Sequence, residues 1–474
     1  MSHSGKLPLT VCMIVRNEAE NLPAALASVR QIATEIVIVD TGSHDSTKEI
    51  ASAAGCKVFE FDWLNDFAAA RNFSLSKATQ PWVLSLDADQ RFPDSSVSAL
   101  EQIITQKIDA AVVHIEAFDL TGKSVFKYPA VRLFKNDPRI RYAGRVHESV
   151  SDALVRHHLI QQNESTVILH DIGYGSAEIR QQKLARNLEL LRQNYLDGSA
   201  DLYLTYKYLQ ALSDSPERRS ALEQTIGRLL ASPDTRLELY PFIDELVDWC
   251  ASDLLQQGKL KEAQSFSTAM AQLVKGHCCY TAGVVAAKSG DFNEVVTWFE
   301  SYENIVDQIH PFRKQPRGCS IAMMGFWRAW CCRLQGDFHR AFELLGQFEP
   351  VANSAESELF ACEKIRIHLS AGNLQVAATE LATMMQRLPT AKHLNEFYVV
   401  AAEISSQLQQ YEQTQYFLDQ VSENDERKWL LQSILAFYQS NYAQSQEYLR
   451  KVVGTDCLNI SLKEQLLEAM AHDQ

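Results

Sequence analysis

Trp82-Val83-Leu84-Ser85-Leu86-Asp87-Ala88-Asp89 reads as a short strand, apolar but for Ser85, that runs straight into two carboxylates one residue apart. A strand without a polar face is covered on both sides, as in a parallel sheet flanked by helices. The segments before it repeat the theme. Leu9–Val15 is apolar and β-branched, Asn21–Val29 is helical, and Ile36–Val39 is a second buried strand closed by Asp40. Ser46–Ala54 is predicted helical, Lys57–Phe61 a third strand, and Asp66–Lys77 a helix. After the two carboxylates come a helix over Ser95–Lys107 and a fifth strand over Ala110–Ile115. Strands alternating with helices of this length predict a mostly parallel, Rossmann-like α/β sheet. Ligands of such sheets lie at the carboxyl ends of the strands, where Asp40 and Asp87 fall.

From about Gln181 strand signals stop and helical periodicity takes over. A turn recurs: Gly258-Lys-Leu260-x-x-Ala263, Gly290-Asp-Phe292-x-x-Val295, Gly336-Asp-Phe338-x-x-Ala341 and Gly372-Asn-Leu374-x-x-Ala377. Degenerate copies start at Gln409 and Ser440. Glycine ends one helix in the left-handed conformation, Asp or Asn caps the next, and the small residue lets the pair approach. A period near ~34 residues with this turn resembles tetratricopeptide repeats. A Pro-containing insertion around His310–Pro316 stretches one interval.

The 474 residues are 46% hydrophobic with a formal net charge of −14. That composition supports folded cores and disfavours nucleic acid as a partner. The ten cysteines include the adjacent pairs Cys278-Cys279 and Cys331-Cys332 but no zinc-ligand spacing, so they read as small buried hydrophobes in a reducing compartment. No signal peptide and no transmembrane segment are predicted; the expected location is the cytoplasm, with room for peripheral contact with a membrane.

Val15-Arg16-Asn17-Glu18 after strand one has no glycine, and no GxxxxGK[ST] loop occurs. The chain therefore does not read as a dehydrogenase or a nucleoside triphosphatase. Asp40-Thr-Gly42-Ser-His-Asp45 can hydrogen-bond a base or ribose, or simply form a turn with Asp45 as helix cap. Asp87 and Asp89 are oxygen ligands suited to a hard divalent cation, with a diphosphate completing the shell. Arg71 suits a diphosphate oxygen or a surface ion pair. His147 and Glu148 can be a base pair or a turn, and His170 a metal ligand or a hydrogen-bonded strand end.

Together, Cys12-Met-Ile-Val-Arg16-Asn-Glu18, Val39-Asp40-Thr-Gly-Ser43, Asp66-Phe-Ala-Ala-Ala-Arg71-Asn72 and Leu86-Asp87-Ala-Asp89 resemble the serial motifs of family 2 glycosyltransferases. Arg132-Leu-Phe134, Val146-His147-Glu148 and His170-Asp-Ile-Gly-Tyr174 are similar to the branch with bacterial lipopolysaccharide-core glucosyltransferases. A helical-repeat half resembles peptide S-glycosyltransferases. The resemblance implies a GT-A fold at 1–176, a linker helix at 177–198 and a tetratricopeptide-like domain at 199–474. It implies a nucleotide-sugar donor, UDP-linked in expectation, a Mn²⁺ or Mg²⁺ cofactor, and inversion at the anomeric carbon. Arg16, Glu18, Asp40, Arg71 and Asp87 would form the donor-nucleotide site; Asp89, Asp87 and His170 would hold the metal; Glu148 or His147 would be the base. Gln90 departs from the pattern where many relatives have Glu, as do His44 and Ser46. The acceptor is a saccharide, peptide or protein, and a protein partner on the repeats and a homodimer both fit. The alternative is a degenerate nucleotide-sugar-binding scaffold whose repeats bind a protein.

Overall fold

The structure, a computed structural model, describes residues 5–118, 122–162, 166–172, 177–198, 201–231, 237–309, 313–348, 350, 354–385 and 394–472. Gly173 and Tyr174 of one quoted motif, and residues 310–312 of the insertion, lie outside that set. The chain forms two compact units, Met1–Ser213 and Asp214–Gln474.

In the first unit the order is β1 (Leu7–Val15), α1 (Leu22–Val29), β2 (Ala33–Asp40), α2 (Thr47–Ala53), β3 (Lys57–Glu60), α3 (Phe67–Lys77), β4 (Trp82–Ser85), β5 (Gln90–Arg91), α4 (Val97–Ile104), β6 (Ala110–Phe118), β7 (Ser124–Lys135), α5 (Ser151–Arg156), β8 (Gln161–Gln162), β9 (Ile168–Asp171), α6 (Ala177–Leu196) and α7 (Leu202–Ala211). The sheet runs β3-β2-β1-β4-β7-β6-β9-β5, with β8 beside β6. Its first four strands pair in parallel. Successive side chains of β1 point to opposite faces. Leu9, Val11, Met13 and Val15 join Leu22, Leu26, Leu100 and Ile103 on one face. Cys12 joins Ala68, Leu75 and Phe134 on the other. Both faces are covered, as the apolar strands predict. Each fully buried Leu or Val contributes roughly 1.5–3 kcal/mol.

Sequence reasoning missed β7, which pairs antiparallel with both β4 and β6. Its lysines and Pro129 hid it, and its first half is exposed, so no apolar alternation marks it. The sheet is therefore mixed, while β6 still runs parallel to β8 and β9. The helix expected as a linker, and α7 after it, fall within the first compact unit.

The second unit is helical from α8 (Pro216–Ala231) and α9 (Ile243–Gln256) onward, through α10 (Leu260–Val274), α11 (His277–Ser289), α12 (Phe292–Ile305), α13 (Ile321–Leu334), α14 (Phe338–Gln347), α15 (Ala355–Ser370), α16 (Leu374–Met385), α17 (Leu394–Gln407), α18 (Tyr411–Gln420), α19 (Glu426–Tyr438), α20 (Tyr442–Leu449) and α21 (Cys457–His472). All six predicted turns lie between helices and take positive φ, from Gly290 (80°) to the non-glycine Gln409 (58°) and Ser440 (57°). Each makes the same pair of closing bonds: at Gly290, for example, Gly290 N donates to Ala287 O and Asp291 N to Ala286 O. That is the Schellman arrangement. The position five residues on is buried in all six: Ala263, Val295, Ala341, Ala377, Thr414 and Ser445. No helix among the described residues is long and apolar enough to cross a membrane.

Candidate functional site

The register of the sheet brings three loops to one edge. Val15 is opposite Asp40, and Cys12 is opposite Ser85, so β1, β2 and β4 end side by side. The loops after β1 and β2 are tied together: Asn17 N donates to Ser43 Oγ (2.8 Å), Glu18 N to Thr47 Oγ1 (2.8 Å), and Ala19 N to Asp45 Oδ2 (3.1 Å). Asp45 therefore clamps two loops. Asp40 is buried at 2% exposure, and its Oδ1 accepts from the Gly42 and Ser43 amides. Its Oδ2 is buried and has no hydrogen-bond partner. A buried carboxylate oxygen without a donor is costly, and a ribose or base can supply one. Glu18 lies beside this loop with Oε2 on Asn21 Nδ2 (2.9 Å), and Arg16 is exposed at the end of β1.

α3 organises the opposite wall. Asp66 caps it by accepting from Ala69 N (2.9 Å), a contribution of about 1 kcal/mol. Ala68 and Ala70 are buried, which lets the helix sit close to the sheet. One side of the helix then holds the segment 142–148. Phe67 N donates to Arg145 O (2.8 Å), and Asn72 exchanges two 2.9 Å bonds with the Tyr142 backbone. Arg71, only 5% exposed, bonds through Nε to Glu148 Oε1 (2.6 Å), through Nη1 to Ser85 Oγ (3.0 Å) and through Nη2 to Asp87 Oδ1 (2.7 Å). Arg132 on β7 bonds through Nη2 to Asp87 Oδ2 (3.2 Å). Glu148, Arg71, Asp87 and Arg132 thus form one continuous ionic chain. Burial alone opposes the charge of Arg71, but Asp87 and Glu148 outweigh it and raise its pKa.

This arrangement gives the expected residues partners within the chain. Each of the three Arg71 nitrogens bonds one protein partner, which uses three of its five N–H donors. Each carboxylate oxygen of Asp87 accepts from an arginine. Near Glu148 in sequence, Arg145 pairs with Asp197 (3.0 Å) and Arg141 bonds backbone carbonyls.

Asp89 immediately precedes β5, and His170 lies on the neighbouring β9. β5 pairs antiparallel with β9, which sets Arg91 opposite His170, and Ile172 N donates to Asp89 O (3.0 Å). His170 stacks edge-on to Phe118 with centroids 5.0 Å apart. Arg91 fixes the turn through Ala88 O, Gln90 O and Asn21 O. Among the described residues no group of three or more His, Cys, Asp and Glu side chains is placed to hold a metal ion, so Asp87, Asp89 and His170 are not a ready-made cage. His147 has φ +55°, an uncommon backbone for a side-chain-bearing residue. Burial, and then Lys207 on α7, push its pKa down to about 4, so it is neutral near pH 7. Arg132, Ser85, Arg91 and Tyr142 had no assigned role from sequence. The signals for Arg132 were its place at the head of the Arg132-Leu-Phe134 motif and a cation between Val131 and Leu133 in an apolar run.

Residues 10–169, the span that builds these loops and strands, match the family model described as Glycosyl transferase family 2. The chain carries a family 2 glycosyltransferase domain. Its fold is GT-A, followed by tetratricopeptide-like helices. A TPR repeat-containing protein of Synechococcus elongatus is 33% identical to this chain over 243 residues, 49% of this chain and 59% of that protein. The SPbeta prophage-derived glycosyltransferase SunS of Bacillus subtilis is 25% identical over 253 residues, 51% of this chain and 58% of SunS. The chain thus spans under two thirds of the length of these curated relatives. The crystal structure of S. aureus TarS 1–349 aligns with 66% of this chain and 99% of that one, at 15% identity and a TM-score of 0.33. Within the family 2 domain, the buried ionic chain and the clamped Asp40 loop occupy the carboxyl edge of the sheet.

Proposed function

We propose that the family 2 domain transfers a sugar, with inversion, from a nucleoside-diphosphate sugar to a hydroxyl of a saccharide, peptide or protein acceptor. UDP is the expected carrier. The observation that carries this reading is the juxtaposition, on one edge of a family 2 sheet, of Asp40 with an unpartnered buried oxygen and Glu148 held by buried Arg71. Asp40 and Glu18, with Arg16 at the rim, take the nucleoside. Glu148 accepts the acceptor proton as the new C–O bond forms and the anomeric C–O bond to the diphosphate breaks, its electron pair leaving with the diphosphate. His147, neutral near pH 7 with its pKa pushed down to about 4, is the alternative base.

A divalent cation fits here only with few protein ligands. Asp89 offers a carboxylate just before β5, next to the strand that carries His170, and hard ions of the Mg²⁺ type commonly take one or two carboxylates plus substrate phosphates. Asp89 and His170 would hold Mn²⁺ or Mg²⁺, which supplies charge neutralisation for the leaving diphosphate. Asp87 acts instead as the anion between two arginines. Residues 1–176 carry the chemistry, and the helices after the 177–198 segment position the acceptor or a protein partner, as repeat surfaces commonly do. The ten free cysteines support a reducing, cytoplasmic setting.

The test is a panel of UDP-, GDP- and dTDP-sugars with Mn²⁺ and Mg²⁺, read by sugar release and by melting temperature. One nucleotide should raise the melting temperature and its sugar should be slowly hydrolysed. Silence across the whole panel would sink the transferase reading.

A further inference from the structure

β7 contains a register shift. Ala111 pairs with Leu133, but Val112 pairs with Val131, so Arg132 is the extra residue of a β-bulge. Bulges re-aim a side chain and concentrate beside active sites. Here the bulge lies beside the end of β4, whose Leu84 pairs with Leu133. The Arg132 side chain is 17% exposed and reaches Asp87 through Nη2 alone. Its Nη1 is buried with no hydrogen-bond partner, and the hydroxyl of Tyr142 is in the same condition. Tyr142 stands by the same network, its ring centroid 5.5 Å from the Arg71 guanidinium carbon. Unpaired buried donors are penalised, and two of them around one ionic chain point to a partner that comes from outside the chain.

We propose that Arg132 and the Tyr142 hydroxyl form a paired subsite for the donor's diphosphate, with Arg132 Nη1 donating to an oxyanion while Nη2 stays on Asp87. The inference rests on the glycosyltransferase reading and deepens it: it adds Arg132, whose Nη1 has no partner, to the diphosphate contact expected of Arg71. A planar guanidinium with one nitrogen anchored and one free is suited to a phosphate oxygen. Tyr142 leads directly into Ala143–Ser149, a segment closed by the Ala143–Ser149 bridge and carrying positive φ at Gly144 (96°) and His147 (55°). That segment yields as the diphosphate reaches the two covered groups.

The test is calorimetric titration of the full chain with UDP, GDP and dTDP in Mn²⁺, and with the matching nucleosides. For whichever diphosphate binds, Arg132→Gln should weaken binding at least about tenfold and leave the nucleoside unaffected, with Arg132→Lys between. Tyr142→Phe should weaken the diphosphate severalfold while the melting temperature holds or rises, because it deletes an unsatisfied hydroxyl. A purely structural tyrosine would not separate the two readouts. If Arg132→Gln does not fold, Tyr142→Phe decides. Wild-type affinity for the diphosphate in both variants would overturn the Arg132 subsite and leave the transferase reading standing. Failure of the wild-type chain to bind any of the three diphosphates would overturn both.

Discussion

Glu148 engages Arg71 through Oε1 in a 2.6 Å bond, with the pair almost wholly shielded from solvent. Glu148→Gln keeps an oxygen for Arg71 and removes the basicity together with the charge. The transfer rate should fall at least about a hundredfold while nucleotide affinity holds. Stability should fall by about 1–3 kcal/mol, because a charge-assisted bond becomes a neutral one. Near-normal turnover would remove Glu148 as the base. His147 gives a pH signature of its own. Its folded pKa of about 4 lies below the ordinary 6.5, so the folded state binds fewer protons than the unfolded state between those values. Its contribution is fully present above about pH 6.5 and is lost as pH falls toward 4. Asn tolerates positive φ, so His147→Asn should fold and should flatten the stability–pH curve in that window. Denaturant melts at several pH values check this, and an unchanged slope would refute it. Much of this site was legible in the sequence as positions, but not as partnerships. Arg71 meets Ser85, Asp87 and Glu148, which no local pattern links to it.

Among the elements, helices with a local punctuation mark were readable and strands without one were not. Asp66 announced α3, and the Gly-Asp and Gly-Asn turns announced the repeats, because caps and left-handed residues act within a few positions. β7 carries no such mark, and its pairing with β4 and β6 is fixed only by tertiary register. The turns also separate backbone strain from packing. A Cβ at Gly336 would meet nothing within 4 Å, and φ there is +81°. Gly336→Ala should therefore cost about 1 kcal/mol through backbone conformation alone. Ser440 holds φ +57° with a side chain in place, so Ser440→Gly should stabilise by about 0.5–1 kcal/mol. Opposite signs in chemical denaturation would support the shared cap, and equal signs would count against it.

At the scale of the whole chain, the repeat half was recognisable from turn spacing, and its two poorest copies adopt the same left-handed turn as the best. The boundary was less legible. α6 and α7 read as the start of a helical half, yet they belong to the first compact unit, where Lys207 acts on His147 and Leu204 lies against Gly144. Helical periodicity reports local structure and says nothing about which core a helix joins. The ionic chain has a further consequence, for kinetics. Glu148, Arg71, Asp87 and Arg132 cancel one another's charge, so beyond a few ångströms the cluster presents almost no field. A donor diphosphate drifting in from solution instead meets a unit, Met1–Ser213, whose formal charge is −3. Added salt screens that repulsion over a Debye length of about 8 Å at 0.15 M. The association rate for a nucleoside diphosphate should therefore climb with ionic strength, opposite to electrostatically steered capture. Stopped-flow binding from ~0.02 to ~0.3 M salt tests the idea, and a rate that drops with salt would reveal an attractive field at the entrance.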